Sequence, residues 1–167
     1  MASQVTRTIV DPIAQLMQEH DTALLHLAAL NKATGELVQH GFSDQEFSKV
    51  TTALAFIEEE ISVHNKSEEE ALFPVLERYV EGPTALMRDE HKQMKKQFTA
   101  FRNAVRRVEK NPGEQEAAED LRSISKIMVQ MFVNHIHKEN HILFPLVQKF
   151  LTKDALREVA RRMLQQL

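Results

Sequence analysis

Residues 64–74 read HNKSEEEALFP, and residues 135–145 read HIHKENHILFP. Both segments place a glutamate four residues after a histidine and end on Leu-Phe-Pro. Residues four apart on an α-helix project from one face, about 6 Å apart along the axis. His64 and Glu68 therefore share a face, as do His135 and Glu139. The offset of 71 residues extends upstream, where Pro12 maps to Pro83 and Glu19-His20 to Glu90-His91. Few other positions agree. The repeat predicts two helical hairpins facing each other about an approximate two-fold axis. Each supplies one histidine from its first helix and a His-x-x-x-Glu pair from its second.

Outward from these segments, apolar residues recur at steps of three and four. Ile13, Leu16, Met17, Leu24 and Leu27 surround His20, and Phe47, Val50, Leu54, Ile57 and Ile61 precede His64 and Glu68, with Leu72 and Val75 beyond. Met87, Met94, Phe98, Phe101, Val105 and Val108 flank His91. Leu121, Ile124, Met128, Met131, Ile142 and Leu146 flank His135 and Glu139. That period marks the buried face of a helix. The punctuation agrees: Asp11-Pro12 starts a helix, and Ser43-Asp44-Gln45-Glu46 has the form of a reciprocal capping box. Gly82-Pro83 and Asn111-Pro112-Gly113 each end one helix and open the next.

Helices are expected near 12–40, 44–80, 83–110 and 114–150. Short connections make neighbours antiparallel, which gives an all-α, up-down-up-down four-helix bundle. A short fifth helix near 154–166 carries Leu156, Val159, Met163 and Leu167 on one side. That side suits covering the bundle, or meeting a protein partner or a second copy in a homodimer. Residues 1–167 read as a single domain with its bundle core over about 11–150.

Composition removes several function classes. The absence of cysteine excludes disulfides, iron–sulfur clusters, thiolate zinc sites and cysteine nucleophiles, leaving nitrogen and oxygen donors for any metal. A net charge of -3 offers no basic field, so nucleic acid is not an expected partner. The opening MASQVTRTIV lacks the apolar core of a signal peptide, and no apolar run approaches the ~18 residues of a membrane span. The expectation is a cytoplasmic protein with no membrane partner.

Six ionisable side chains (His20, His64, Glu68, His91, His135 and Glu139) occupy positions that the apolar pattern reserves for core. A single histidine on such a stripe is most often a hydrogen-bonded core residue. Burying four histidines and two glutamates at one level without a cation is much harder, because each unpaired buried charge costs several kcal/mol. Imidazole supplies a terminal nitrogen and a carboxylate can bridge two ions, so the set suits two metals. Ferritin-like di-iron bundles use Glu-x-x-His, whereas the order and spacing here differ and point to another di-metal family. All-nitrogen-and-oxygen ligation favours redox-active iron, while manganese, cobalt or zinc would suit the same donors.

On Glu19-His20-Asp21, His64-x-x-x-Glu68-Glu69, Glu90-His91, His135-x-x-x-Glu139 and the two Leu-Phe-Pro runs, the sequence resembles hemerythrin, and more closely the hemerythrin-like HHE cation-binding domains. The resemblance covers residues ~10–150. It implies a four-helix bundle holding two irons bridged by two carboxylates and an oxo or hydroxo ligand. By position, Glu68 and Glu139 would be the bridges, with His20, His64, His91 and His135 terminal. Oxygen-carrying members have a further histidine where this chain has Lys95, and an aspartate five residues after the fourth-helix histidine, where Asn140 stands. These departures argue against a simple reversible oxygen carrier. Members with the reduced set act in iron or oxygen sensing, nitric oxide or peroxide handling, or repair of iron centres. The repair group usually carries a cysteine-bearing segment that is absent here.

The leading reading is a di-iron protein that binds O2 or a related small molecule (NO, peroxide) for sensing, storage or scavenging. The alternatives are an enzyme consuming peroxide or NO, and an iron-responsive interaction module. No separate acid–base constellation accompanies the six residues, which ranks the enzyme lower. Among neighbours, Asp21 and Glu90 are expected to orient ligand imidazoles through the second ring nitrogen. Glu60, Glu69 and Glu70 read as solvated charge, and His137 and His141 as an external pair. His26 and His40 read as surface or inter-helix residues, and Met17, Met94 and Met131 as core packing.

Overall fold

The computed structural model describes Ile9 and residues 11–166. Residues 1–8, Val10 and Leu167 lie outside the described residues. With them lie the reading of the chain's first residues as lacking a leader and the place of Leu167 on the last helix.

Five helices account for the fold, with no strand among the described residues. They are α1 (Pro12–His40), α2 (44–76), α3 (Thr84–Lys110), α4 (115–150) and α5 (Lys153–Leu164). Asp11 Oδ1 accepts from the Ile13 and Ala14 amides at 3.0 and 3.1 Å, which satisfies donors that the first turn of α1 leaves free. Gly41 takes φ 82°, a conformation that favours glycine, at the reversal into α2. Only half of the expected capping box forms. Ser43 Oγ accepts from the Glu46 amide at 3.2 Å, while the Glu46 carboxylate turns to Lys49 at 2.7 Å. Helix α2 stops before the expected residue 80, because the Arg78 and Tyr79 amides bond three residues back and tighten its last turn.

Helix α1 packs against α2 and α4, and α3 against α4. Helix α5 lies across one end, on α1 and the last turns of α2, and buries Val159 and Met163 there. Of the roles expected for it, covering the bundle is the one observed. One apolar cluster runs from Ala23, Leu30 and Val50 to Phe101 and Phe132. The other gathers Ile13, Leu16, Leu72, Phe73, Leu143 and Phe144 under α5. Among the described residues no helix is long and apolar enough to cross a membrane.

The Leu-Phe-Pro runs shape the helices that carry them. Pro74 and Pro145 have no N–H, and their rings crowd the carbonyl four residues back, so a regular ladder cannot pass through them. The chain answers with a π turn before each proline, Glu68–Leu72 and Glu139–Leu143. These are closed by the Phe73 amide to the Glu68 carbonyl and the Phe144 amide to the Glu139 carbonyl. The extra residue in each turn rotates the helix beyond it. In α4 this buries Leu143 and Val147 in place of the expected Ile142 and Leu146, and leaves Ile142 51% exposed. Met17 is another correction: one residue past Leu16 on a regular helix, it turns outward and is 39% exposed. A third π turn, Ile57–Ile61, occurs in α2 alone.

Candidate metal centre

His20 from α1, His64 and Glu68 from α2, His91 from α3, and His135 and Glu139 from α4 meet in the bundle interior, all buried. Their donor atoms form two groups of four, and both glutamates belong to both groups. One group is His20, His64, Glu68 and Glu139, and the other is Glu68, His91, His135 and Glu139, with the donors of each within 4.8 Å of one another. Glu139 turns Oε2 toward His20 Nε2 at 2.9 Å and Oε1 toward His135 Nε2 at 2.8 Å. Glu68 divides in the same way, with Oε1 3.5 Å from His64 Nε2 and Oε2 3.4 Å from His91 Nε2. Each carboxylate thus offers one oxygen to each group.

Within each group the two imidazoles face each other through Nε2, at 3.0 Å for His20 and His64 and 2.9 Å for His91 and His135. Two nitrogens bound side by side to one octahedral cation at ~2.1 Å would stand about 3.0 Å apart. The four oxygens of Glu68 and Glu139 are buried and receive no hydrogen bond from the described residues, although ring nitrogens stand as near as 2.8 Å. Buried carboxylate oxygens left in this state cost several kcal/mol without a cation. The donor set fits a pair of metal ions.

The other nitrogen of every imidazole is tied down, which aims Nε2 inward. His64 Nδ1 meets Glu19 at 2.6 Å and His135 Nδ1 meets Glu90 at 2.8 Å, equivalent contacts in the repeat. His20 Nδ1 meets Asn140 Oδ1 at 2.7 Å, and His91 Nδ1 meets Glu69 Oε1 at 2.7 Å. The last two contacts cross from one hairpin to the other. Phenylalanines from the Leu-Phe-Pro runs cross as well: Phe144 stacks on His20 at 5.4 Å and Phe73 on His91 at 6.1 Å.

Several expectations need correction here. Glu90 orients an imidazole as expected, but Asp21 is exposed and Glu19 fills that role. The signal was in the repeat, since Glu19 is the counterpart of Glu90. Glu69 is not merely solvated charge, because the π turn that starts at Glu68 brings it to His91. Glu60 and Glu70 are exposed, as read from the sequence. His137 and His141 stack on each other at 4.1 Å on the outside of α4, and His26 stacks on Phe56 at 3.9 Å. A cavity of about 480 Å³ between α2 and α3 reaches His91, with Ile61, Glu69, Met94, Lys95 and Phe98 in its walls.

Protonation is set by competition between burial and charge. Burial alone would push the His64 ring down, but the charge of Glu68 and the contact with Glu19 raise it to about 10. Burial likewise opposes charge on His91, and Glu139 and Glu68 raise it to about 10. Burial favours the neutral acid at Glu139, yet His135, His20 and His91 hold its carboxyl well below the usual range. His64 and His91 therefore hold their protons near neutral pH in the metal-free protein.

Metal loading is therefore expected to release about two protons per chain near neutral pH, measured by calorimetry in buffers of different ionisation enthalpy. In the metal-free protein the raised histidines stabilise the fold fully below pH 6.5, and that contribution is lost as pH climbs through about 10. The lowered Glu139 acts in the opposite sense: its contribution is present above pH 4.5 and lost in acid. Stability of the metal-free protein is expected to fall on both sides of that window, and pH-dependent melting checks this.

A helical bundle that gathers four imidazoles and two shared, unsatisfied carboxylates in its core belongs to the class of cation-binding bundles. The profile of the hemerythrin HHE cation binding domain matches residues 11–147, and the chain belongs to the hemerythrin family. No curated protein gives a match. The chain is a metal-binding, hemerythrin-like protein.

Proposed function

We propose that the chain holds two iron ions between His20, His64, Glu68, His91, His135 and Glu139, and that this centre engages O2, NO or peroxide for sensing, storage or scavenging. The observation that carries the reading is the pair of four-donor groups sharing both glutamates, with four buried carboxylate oxygens lacking any hydrogen bond. The two four-donor groups would each hold one iron ion, and the pair would supply redox chemistry to a small molecule.

The residues divide the work. Four imidazoles fix the positions from outside, each locked by a partner on Nδ1. Glu68 and Glu139 neutralise charge at both positions at once. The cavity beside His91, walled by Met94 and Phe98 together with Glu69 and Lys95, supplies a route by which a small molecule would reach the centre. Lys95 lines that route and adds no imidazole to the centre.

The test is anaerobic loading with two ferrous ions per chain, followed by air. Intense near-ultraviolet charge-transfer bands are expected. A loaded protein that stays featureless after oxidation would sink the di-iron reading.

A further inference from the structure

Three pairs of contacts, matched by the repeat, surround the imidazoles of the two halves, and one pair breaks the symmetry. His64 on Glu19 and His135 on Glu90 are alike, and so are the stacked phenylalanines. His20 and His91 differ. Behind His91 stands the carboxylate of Glu69, and behind His20, at the same 2.7 Å and the same place in the repeat, stands the neutral amide of Asn140.

A carboxylate on Nδ1–H pulls the proton outward and raises electron density at Nε2, making the imidazole a stronger donor; an amide oxygen does so much less. Resting on the metal reading above, we infer that the two cation positions are inequivalent. Glu69 makes the position formed by His91 and His135 fill first, and Asn140 leaves the position formed by His20 and His64 as the weaker one, slower to fill and quicker to empty. The cation class is a divalent first-row ion.

One contact works against this order. Lys138 pairs with Glu90 and draws charge away from the carboxylate behind His135, whereas among the described residues Glu19 has, besides His64, the neutral Gln15 amide at 2.8 Å. Lys138 acts at one remove and is 38% exposed, where an ion pair shifts an equilibrium by no more than about fivefold. Glu69 is itself 39% exposed, but it touches the ligand imidazole directly, and losing an outer partner in that position costs about 10–100-fold in metal affinity. Glu69 prevails.

The test adds one equivalent of Co2+ to the metal-free protein and follows the hyperfine-shifted Nδ1–H protons of the four assigned histidines. In the native protein the signals of His91 and His135 should appear before those of His20 and His64. Asn140→Asp and Glu69→Gln are near-isosteric and keep each contact, so the fold is preserved, with circular dichroism as the control. Asn140→Asp should abolish the lead of His91 and His135, leaving the two pairs together or His20 and His64 ahead by no more than the effect of Lys138, and the double variant, which exchanges carboxylate and amide, should reverse the order. Simultaneous appearance in the native protein, or an order that ignores the exchange, overturns the inference while leaving the two-ion centre standing. A protein that takes up no Co2+ in any form overturns the metal centre and the inference with it.

Discussion

Two equivalents of ferrous iron, added without air, are expected to raise the thermal midpoint of the metal-free protein by roughly 15–30 °C. An ion present at a thousand times its dissociation constant stabilises the folded state by about 4 kcal/mol, so two contribute about 8. A chain of this length shifts its midpoint by about 2–4 °C for each kcal/mol. The response should be large because of where the energy resides. Four buried carboxylate oxygens have no donor among the described residues, and two ring nitrogens are pressed together in each half of the cluster. Cations relieve both conditions at once. Chelation should return the midpoint to its starting value. An unchanged midpoint at saturating metal would show that the six residues hold no ion.

Losing a shared glutamate should cost more than losing any histidine. His20→Ala removes a donor from one group and leaves the other four-donor group whole, so one ion should remain bound. Glu139→Ala removes a donor from both, and neither group keeps a carboxylate on each side. Both ions are then expected to fall away, with affinity lowered by at least about 100-fold, beyond the 10–100-fold typical of an outer partner. Elemental analysis of the two variants after gel filtration distinguishes a content near one ion from a content near zero. Two ions retained in Glu139→Ala would remove the bridging role assigned to it. The alanine side chain is smaller and apolar, so the metal-free variant should be compared by melting. It is expected to be moderately destabilised, because His91 and His135 lose the charge that faces them.

The bundle and the meeting of the six residues in its interior were legible because both rest on helical spacing. Stripes at steps of three and four located α1 to α4, and the repeat at 71 residues isolated the six residues that meet inside. What escaped depended on departures from that spacing. Leu-Phe-Pro was visible as a motif, but its effect was not. A proline that converts the preceding turn to five residues shifts the buried face from Ile142 and Leu146 to Leu143 and Val147. The same widening brings Glu69 onto His91, so a residue that a uniform helix turns outward comes to touch a histidine of the cluster. Glu19 escapes for a different reason. It touches the histidine of the neighbouring helix rather than the one beside it in sequence, and only its correspondence with Glu90 could have marked it.

The crossed contacts carry a consequence for how such a protein can be divided. His20, His64 and Glu68 belong to one hairpin, yet their group takes Glu139, and His20 takes Asn140 and Phe144, from the other. Half of the chain is thus an unfinished part rather than a small version of the whole. A lone hairpin could complete a centre only by docking with a twin, and the result would be a symmetric pair with identical positions. Joining both copies in one chain removes that obligation to be identical. Asn140 and Glu69, at matching places in the repeat, are where the two halves differ.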